Sequence, residues 1–202
     1  SDLRRQRQMC IRDRNKEVSN KEVISIAENY NFDVSNFDFA ASGSALCYED
    51  YNVSEKINHI DGMTVEEAEH MMATKLYQNN AKVHFNHFVE KGGRFGKRIV
   101  YGGHVISLTR ALTFNGLSNA FKIIAINGGT HASPCFAGTT VFAWSTILDK
   151  IEVSDKLGAL RIRSNGIGDA QAYQFQHRDA NNRFDPSVLL SLDYWALIPR
   201  KN

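Results

Sequence analysis

Residues 76–112 read LYQNNAKVHFNHFVEKGGRFGKRIVYGGHVISLTRAL, and this stretch decides the reading of the whole chain. A polar loop holding His84 runs into a glycine-rich turn, and then into a glycine pair, Gly102 and Gly103, that opens an apolar helix. Val105, Leu108 and Leu112 recur at spacings of three and four, which predicts a buried helix that Gly116 helps to end. A titratable base and the positive end of a helix therefore lie close together in sequence, an arrangement that suits proton chemistry beside a carbonyl.

Working outward, Thr64 and Glu67 have capping-box spacing, with Val65, Ala68, Met72 and Leu76 on one helical face. Upstream, CYEDYNVSEKINHIDGMT (47–64) predicts an entering strand and turn. Beyond Asn119 the pattern turns to strands. FKIIAIN (121–127) and TTVFAWSTILDKIEV (139–153) carry β-branched and aromatic residues, with Pro134 and Gly138 punctuating the turn between them. Leu157–Ser164 and Val188–Ile198 predict two further strands, with GIGDAQAYQFQHRDANNRFDP (166–186) as an exposed loop between them. Helices followed by long strands point to an α+β fold with an antiparallel sheet.

The chain has 202 residues, 43% of them hydrophobic and 3 of them proline, which is enough for one well-filled core. No apolar run is long enough to span a bilayer, which argues against a membrane protein. Cys10, Cys47 and Cys135 have no CxxC spacing, so neither a zinc site nor a disulfide framework is expected and a reduced cytoplasmic setting is the default. The net charge of +2 is misleading, because residues 1–14 (SDLRRQRQMCIRDR) hold five Arg against two Asp, leaving −1 for the rest. That tract resembles translated sequencing-adapter sequence. We set it aside as a non-native tail, which removes the argument for a nucleic-acid partner and implies that the natural chain continues upstream. Residues 15–47 are polar and broken, and read as a linker in which KEVISIAENY (21–30) forms two helical turns and Phe32, Phe37 and Phe39 tack it to a neighbouring surface. The ordered domain is then 48–202.

Several side chains have the right chemistry for a site. His84 titrates near pH ~6.5 when unperturbed and suits a general base. Taken alone, a histidine in such a loop is more often structural. Asn79 cannot take a proton, yet it can orient a water; it also makes a good turn. The amides of Gly102 and Gly103 can hold a developing oxyanion, or the glycines simply begin the helix. Arg94, Lys97 and Arg98 can meet phosphates, or form a solvated loop. His84, His87, His104 and His131 raise the question of metal, but no carboxylate or cysteine completes a set, and no metal is expected.

The segments QNNAKVHFN (78–86), RFGKRIVYGGHVISL (94–108) and SPCFAGTTVFAWSTIL (133–148) resemble the MaoC-like dehydratase family. The resemblance runs from about Asn36 to Arg200, is specific over Asp61–Leu112 and is looser over Gly166–Phe184. It implies a hot-dog fold, an antiparallel sheet wrapped around a central helix at His104–Asn115. It also implies a hydro-lyase that adds water to an enoyl-CoA without a cofactor beyond the coenzyme A of the substrate. The family's catalytic histidine falls on His84 and its glycine amide on Gly102 or Gly103, with Arg94, Lys97 or Arg98 placed to meet the coenzyme. The commoner family pattern has Asp five residues before the histidine; here Asn79 stands there, and Ala81-Lys82 replaces an Asn-Pro pair. His84 would then both remove and return protons.

The resemblance matches the second half of a double hot-dog protein. A partner is therefore expected, either the missing first half or a second copy in a homodimer. An alternative class is a non-catalytic half that binds a CoA thioester or plays a structural part. A thioesterase ranks last, because the predicted helix carries His104 and Arg110 rather than a carboxylate.

Overall fold

A computed structural model describes residues 17–171 and 177–201, so the tail at 1–14 lies outside the described residues. Helix α1 (Asn20–Tyr30) and α2 (Phe39–Ser42) precede a 3₁₀ turn at Tyr48–Asp50 and strand β1 (Lys56–Thr64). Helices α3 (Glu67–Leu76), α4 (Lys82–Phe85), α5 (His87–Glu90) and α6 (Gly102–Leu112) follow, then a kinked turn at Phe114–Leu117. Strands β2 (Lys122–His131), β3 (Thr140–Glu152), β4 (Leu157–Gly168) and β5 (Val188–Pro199) complete the chain. All pairings are antiparallel, in the order β1-β3-β4-β5-β2, which leaves β1 and β2 at the edges.

The strands bury alternate residues on two faces. On the inner face Ala143, Ile147, Leu160, Ile162, Leu190, Leu192 and Tyr194 meet Val105 and Leu112 of α6. Each fully buried aliphatic side chain there contributes roughly 1.5–3 kcal/mol relative to exposure. On the outer face Trp195, Leu197, Leu157 and Ala159 are covered by Val23 and Ala27 of α1. Ser19 caps α1 through a capping box with Glu22. Phe32 and Phe37 both touch Phe121 at ring-centroid distances of 5.6 and 5.9 Å, so the aromatic residues do fasten this segment to the sheet.

Helix α6 is the central helix. It runs Gly102–Leu112 rather than His104–Asn115, because Asn115 (φ −71°, ψ 93°) and Gly116 (φ 103°) leave helical geometry. Its buried stripe is Val105, Thr109 and Leu112, with Leu108 partly buried.

Two further expectations fail for identifiable reasons. Thr64 does not cap α3: it stays in the ladder opposite Thr140, and their hydroxyls lie 2.9 Å apart. The expected partner Glu67 instead binds Arg98 and His70. Helix α3 is accordingly rotated. It buries His70, Ala73 and Thr74, while Ala68 is exposed, as are Met72 (62%) and Leu76 (70%). Second, GIG at 166–168 belongs to β4 rather than to a loop. Gly166 lies under α6, where a Cβ would come 2.4 Å from Thr109 Oγ1, so glycine here marks close helix–sheet packing. Residues 172–176 of that expected loop lie outside the described residues.

Candidate active site

The site is assembled at the start of α6. Ile99 donates its amide to Val83 O at 3.0 Å, and Val100 donates to Cys135 O at 2.9 Å, which ties the approach to α6 to both α4 and the β2–β3 connection. Tyr101 is the N-cap and makes no side-chain capping bond. The amides of Gly102 and Gly103 begin the helix and have no acceptor among the described residues. The two glycines are needed for space. A Cβ on Gly103 would come 2.5 Å from the Tyr101 ring, and one on Gly102 would come 2.8 Å from Nε2 of His131.

His84 sits in α4, a single helical turn, and is half-buried. Its Nδ1 lies 2.9 Å from the carbonyl oxygen of Ile99. A carbonyl can only accept, so Nδ1 carries the proton and Nε2 keeps its lone pair free. Burial pushes the imidazole below its ordinary proton affinity, partly offset by the Ile99 carbonyl, while His70 lowers it further and Glu90 raises it. The ring therefore stands neutral at neutral pH, as a base must. It meets the Tyr101 ring edge-on at 5.9 Å, and Tyr101 in turn covers Gly103. His84, Gly102 and Gly103 are thus brought to one place through Tyr101.

His131 enters the sequence reading only as a possible metal ligand. It is the last residue of β2, and its ring lies against Gly102 with no hydrogen-bond partner among the described residues. Burial lowers its proton affinity, and the nearby His84 lowers it further. Nothing in the local sequence signals this placement, since the strand that delivers it is paired to Leu190 from far along the chain.

Asn79 is placed differently. Its Oδ1 accepts from the Ala81 amide at 2.9 Å and its own amide donates to Thr74 O, which makes it a turn residue at the exit of α3. The cationic residues also separate. Arg98 is committed to Glu67 and donates to Phe85 O at 3.4 Å. Arg94 and Lys97 are exposed, lying 5.0 Å over Phe95 and 4.3 Å over Phe136, rings that themselves pack edge-on. Among the described residues no group of three or more His, Cys, Asp and Glu is arranged to hold a metal ion. His104 bonds Glu69 at 3.0 Å. No helix of the described residues is long and apolar enough to cross a membrane.

No family model matches the chain. The chain is 51% identical over 181 residues to β-methylmalyl-CoA dehydratase of Chloroflexus aurantiacus, a match covering 89% of this chain and 51% of that protein. It is also 51% identical over 178 residues to mesaconyl-CoA hydratase of Cereibacter sphaeroides, covering 88% of this chain and 50% of that protein. The crystal structure of a MaoC domain protein dehydratase from Chloroflexus aurantiacus superposes with a TM-score of 0.81 at 53% identity, covering 85% of this chain and 49% of that one. The chain spans about half the length of the curated relatives it matches. With a five-stranded antiparallel sheet wrapped around α6 the chain has the hot-dog fold, and over most of its length it is similar to these MaoC-like dehydratases.

Proposed function

We propose that this chain carries the active half of a hydro-lyase that reversibly adds water to 2-methylfumaryl-CoA (mesaconyl-C1-CoA), giving β-methylmalyl-CoA. The observation that carries the reading is a His84 whose Nδ1 is bonded to Ile99 O, leaving Nε2 its lone pair, and whose ring packs on Tyr101 at the start of α6, where the Gly102 and Gly103 amides have no acceptor among the described residues. Nε2 takes a proton from water as its oxygen bonds to the β carbon. The electron pair of the double bond moves toward the thioester carbonyl, whose oxygen is held by the Gly102 or Gly103 amide. The same imidazole then returns the proton to the α carbon. Asn79 Oδ1 is held by the turn, which leaves its Nδ2 donors to orient the water. Arg94 and Lys97 are free to meet coenzyme phosphates; Arg98 does so only by leaving Glu67. No cofactor enters this scheme beyond the coenzyme A of the substrate, and the buried free thiols of Cys47 and Cys135 fit a cytoplasmic setting.

A partner completes the proposal. Edge strand β2 exposes Ile126 (59%), and α3 and α5 expose Met72, Leu76 and Phe88. Surfaces of this kind are covered by association, here by another hot-dog half or by a second copy of this chain.

One observation favours a second reading, a half that binds the thioester without turning it over: the position of the expected carboxylate is held by Asn79, whose carbonyl is engaged in a turn. Absorbance-monitored hydration of 2-methylfumaryl-CoA separates the two. Loss of the enoyl-thioester band supports the hydro-lyase. Binding without loss of the band supports the second reading.

A further inference from the structure

The hydration reading leaves one chemical demand unassigned. A 2-methylfumaryl thioester carries a free carboxylate beyond the reacting double bond, and an anion entering a half-buried site needs a donor to replace water. We infer that His131 binds this carboxylate, and so selects enoyl thioesters of dicarboxylic acids over those of simple fatty acids. The inference rests on the hydratase reading and deepens it.

Three observations converge on His131. Its place at the end of β2 sets the imidazole against Gly102, so it faces the same helix start as the oxyanion amides and His84. It is half-buried, and neither ring nitrogen is bonded to a described residue, so its donor capacity is unspent. Other cationic groups are otherwise engaged: Arg98 is held by Glu67, His104 by Glu69, and Lys97 lies over the Phe136 ring. Burial and the proximity of His84 both disfavour the protonated form of His131. An arriving carboxylate reverses that balance and makes the contact a charge-assisted hydrogen bond.

Succinyl-CoA and butyryl-CoA share a four-carbon acyl chain, differ in the terminal carboxylate and do not react by hydration. Their affinities for the full chain, measured by titration calorimetry, test the inference without turnover. The native chain is expected to prefer succinyl-CoA by about ten- to a hundredfold, the range for a hydrogen bond to a charged group. His131→Val should collapse the preference to within about threefold, and His131→Gln, which keeps a neutral donor, should fall between. If the valine variant does not fold by circular dichroism, the glutamine variant decides. A preference that survives substitution overturns the inference, as does a native chain that binds neither thioester or both equally. Turnover of 2-methylfumaryl-CoA by the native chain is read separately. Turnover with a preference independent of His131 removes the inference alone, whereas a His131-dependent preference without turnover removes hydration alone.

Discussion

Nε2 of His131 lies 2.8 Å from the point where a Cβ on Gly102 would stand, so the imidazole packs against the helix start, where the Gly102 and Gly103 amides have no acceptor among the described residues. The glycine and the histidine are thus matched in space, although 29 residues separate them in sequence.

Gly102→Ala places a methyl group against this ring, and Gly103→Ala places one against Tyr101, 2.5 Å from its ring. Each should lower kcat by at least about tenfold, since removing one oxyanion donor costs ~10²–10³ and displacement removes part of that. Thermal unfolding should move far less than activity. A kcat within twofold of native for both variants would mean these amides play no part.

His59 is buried on the inner side of β1, with Nδ1 2.6 Å from Asn115 O and Nε2 2.8 Å from Ser145 Oγ. Burial pushes it down from 6.5 to about 4. The unfolded chain therefore binds a proton there that the folded chain refuses between about pH 6.5 and 4. Stability rises with pH across this window, is fully present above it and is lost as pH falls through it, by up to about 3 kcal/mol. Urea unfolding at pH 7 and pH 5 checks this, and His59→Gln should flatten the slope.

Met72, Leu76 and Phe88 are 62, 70 and 79% exposed. Replacing Met72 and Leu76 by Gln and Phe88 by Ser should shift the chain toward monomer in size exclusion with light scattering. An unchanged association state would assign the contact to the β2 edge instead.

Arg94 and Lys97 are expected to act on KM. Substituting both by Ala should raise KM for the CoA thioester about three- to tenfold and leave kcat near native, as for exposed charges that bind ground and transition states alike. A pantetheine thioester lacking the nucleotide should show no such difference.

The α+β class, the antiparallel strands and the helix behind Gly102-Gly103 were legible because they rest on local periodicity. The rotation of α3 was not. Thr64 and Glu67 satisfy a local capping pattern, yet the ladder with β3 claims the threonine, and Arg98, 31 residues away, claims the glutamate. Gly166 misled for a similar reason, because a glycine required by Thr109 of a crossing helix looks like a loop glycine. His84 and the glycine pair stand out by their chemistry and by the resemblance, since their own neighbourhood equally allows a structural role. His131 could not, because β2 pairing with β5 is what carries it to them.

The most direct test of the central claim is single-turnover hydration of 2-methylfumaryl-CoA by the native chain and by His84→Ala, both shown to be folded. The account predicts that the native chain consumes the enoyl-thioester band and that the variant is slower by at least about a hundredfold, the lower end for losing a general base. A variant with near-native rate, or a folded native chain that leaves the band untouched while binding the thioester, would contradict it.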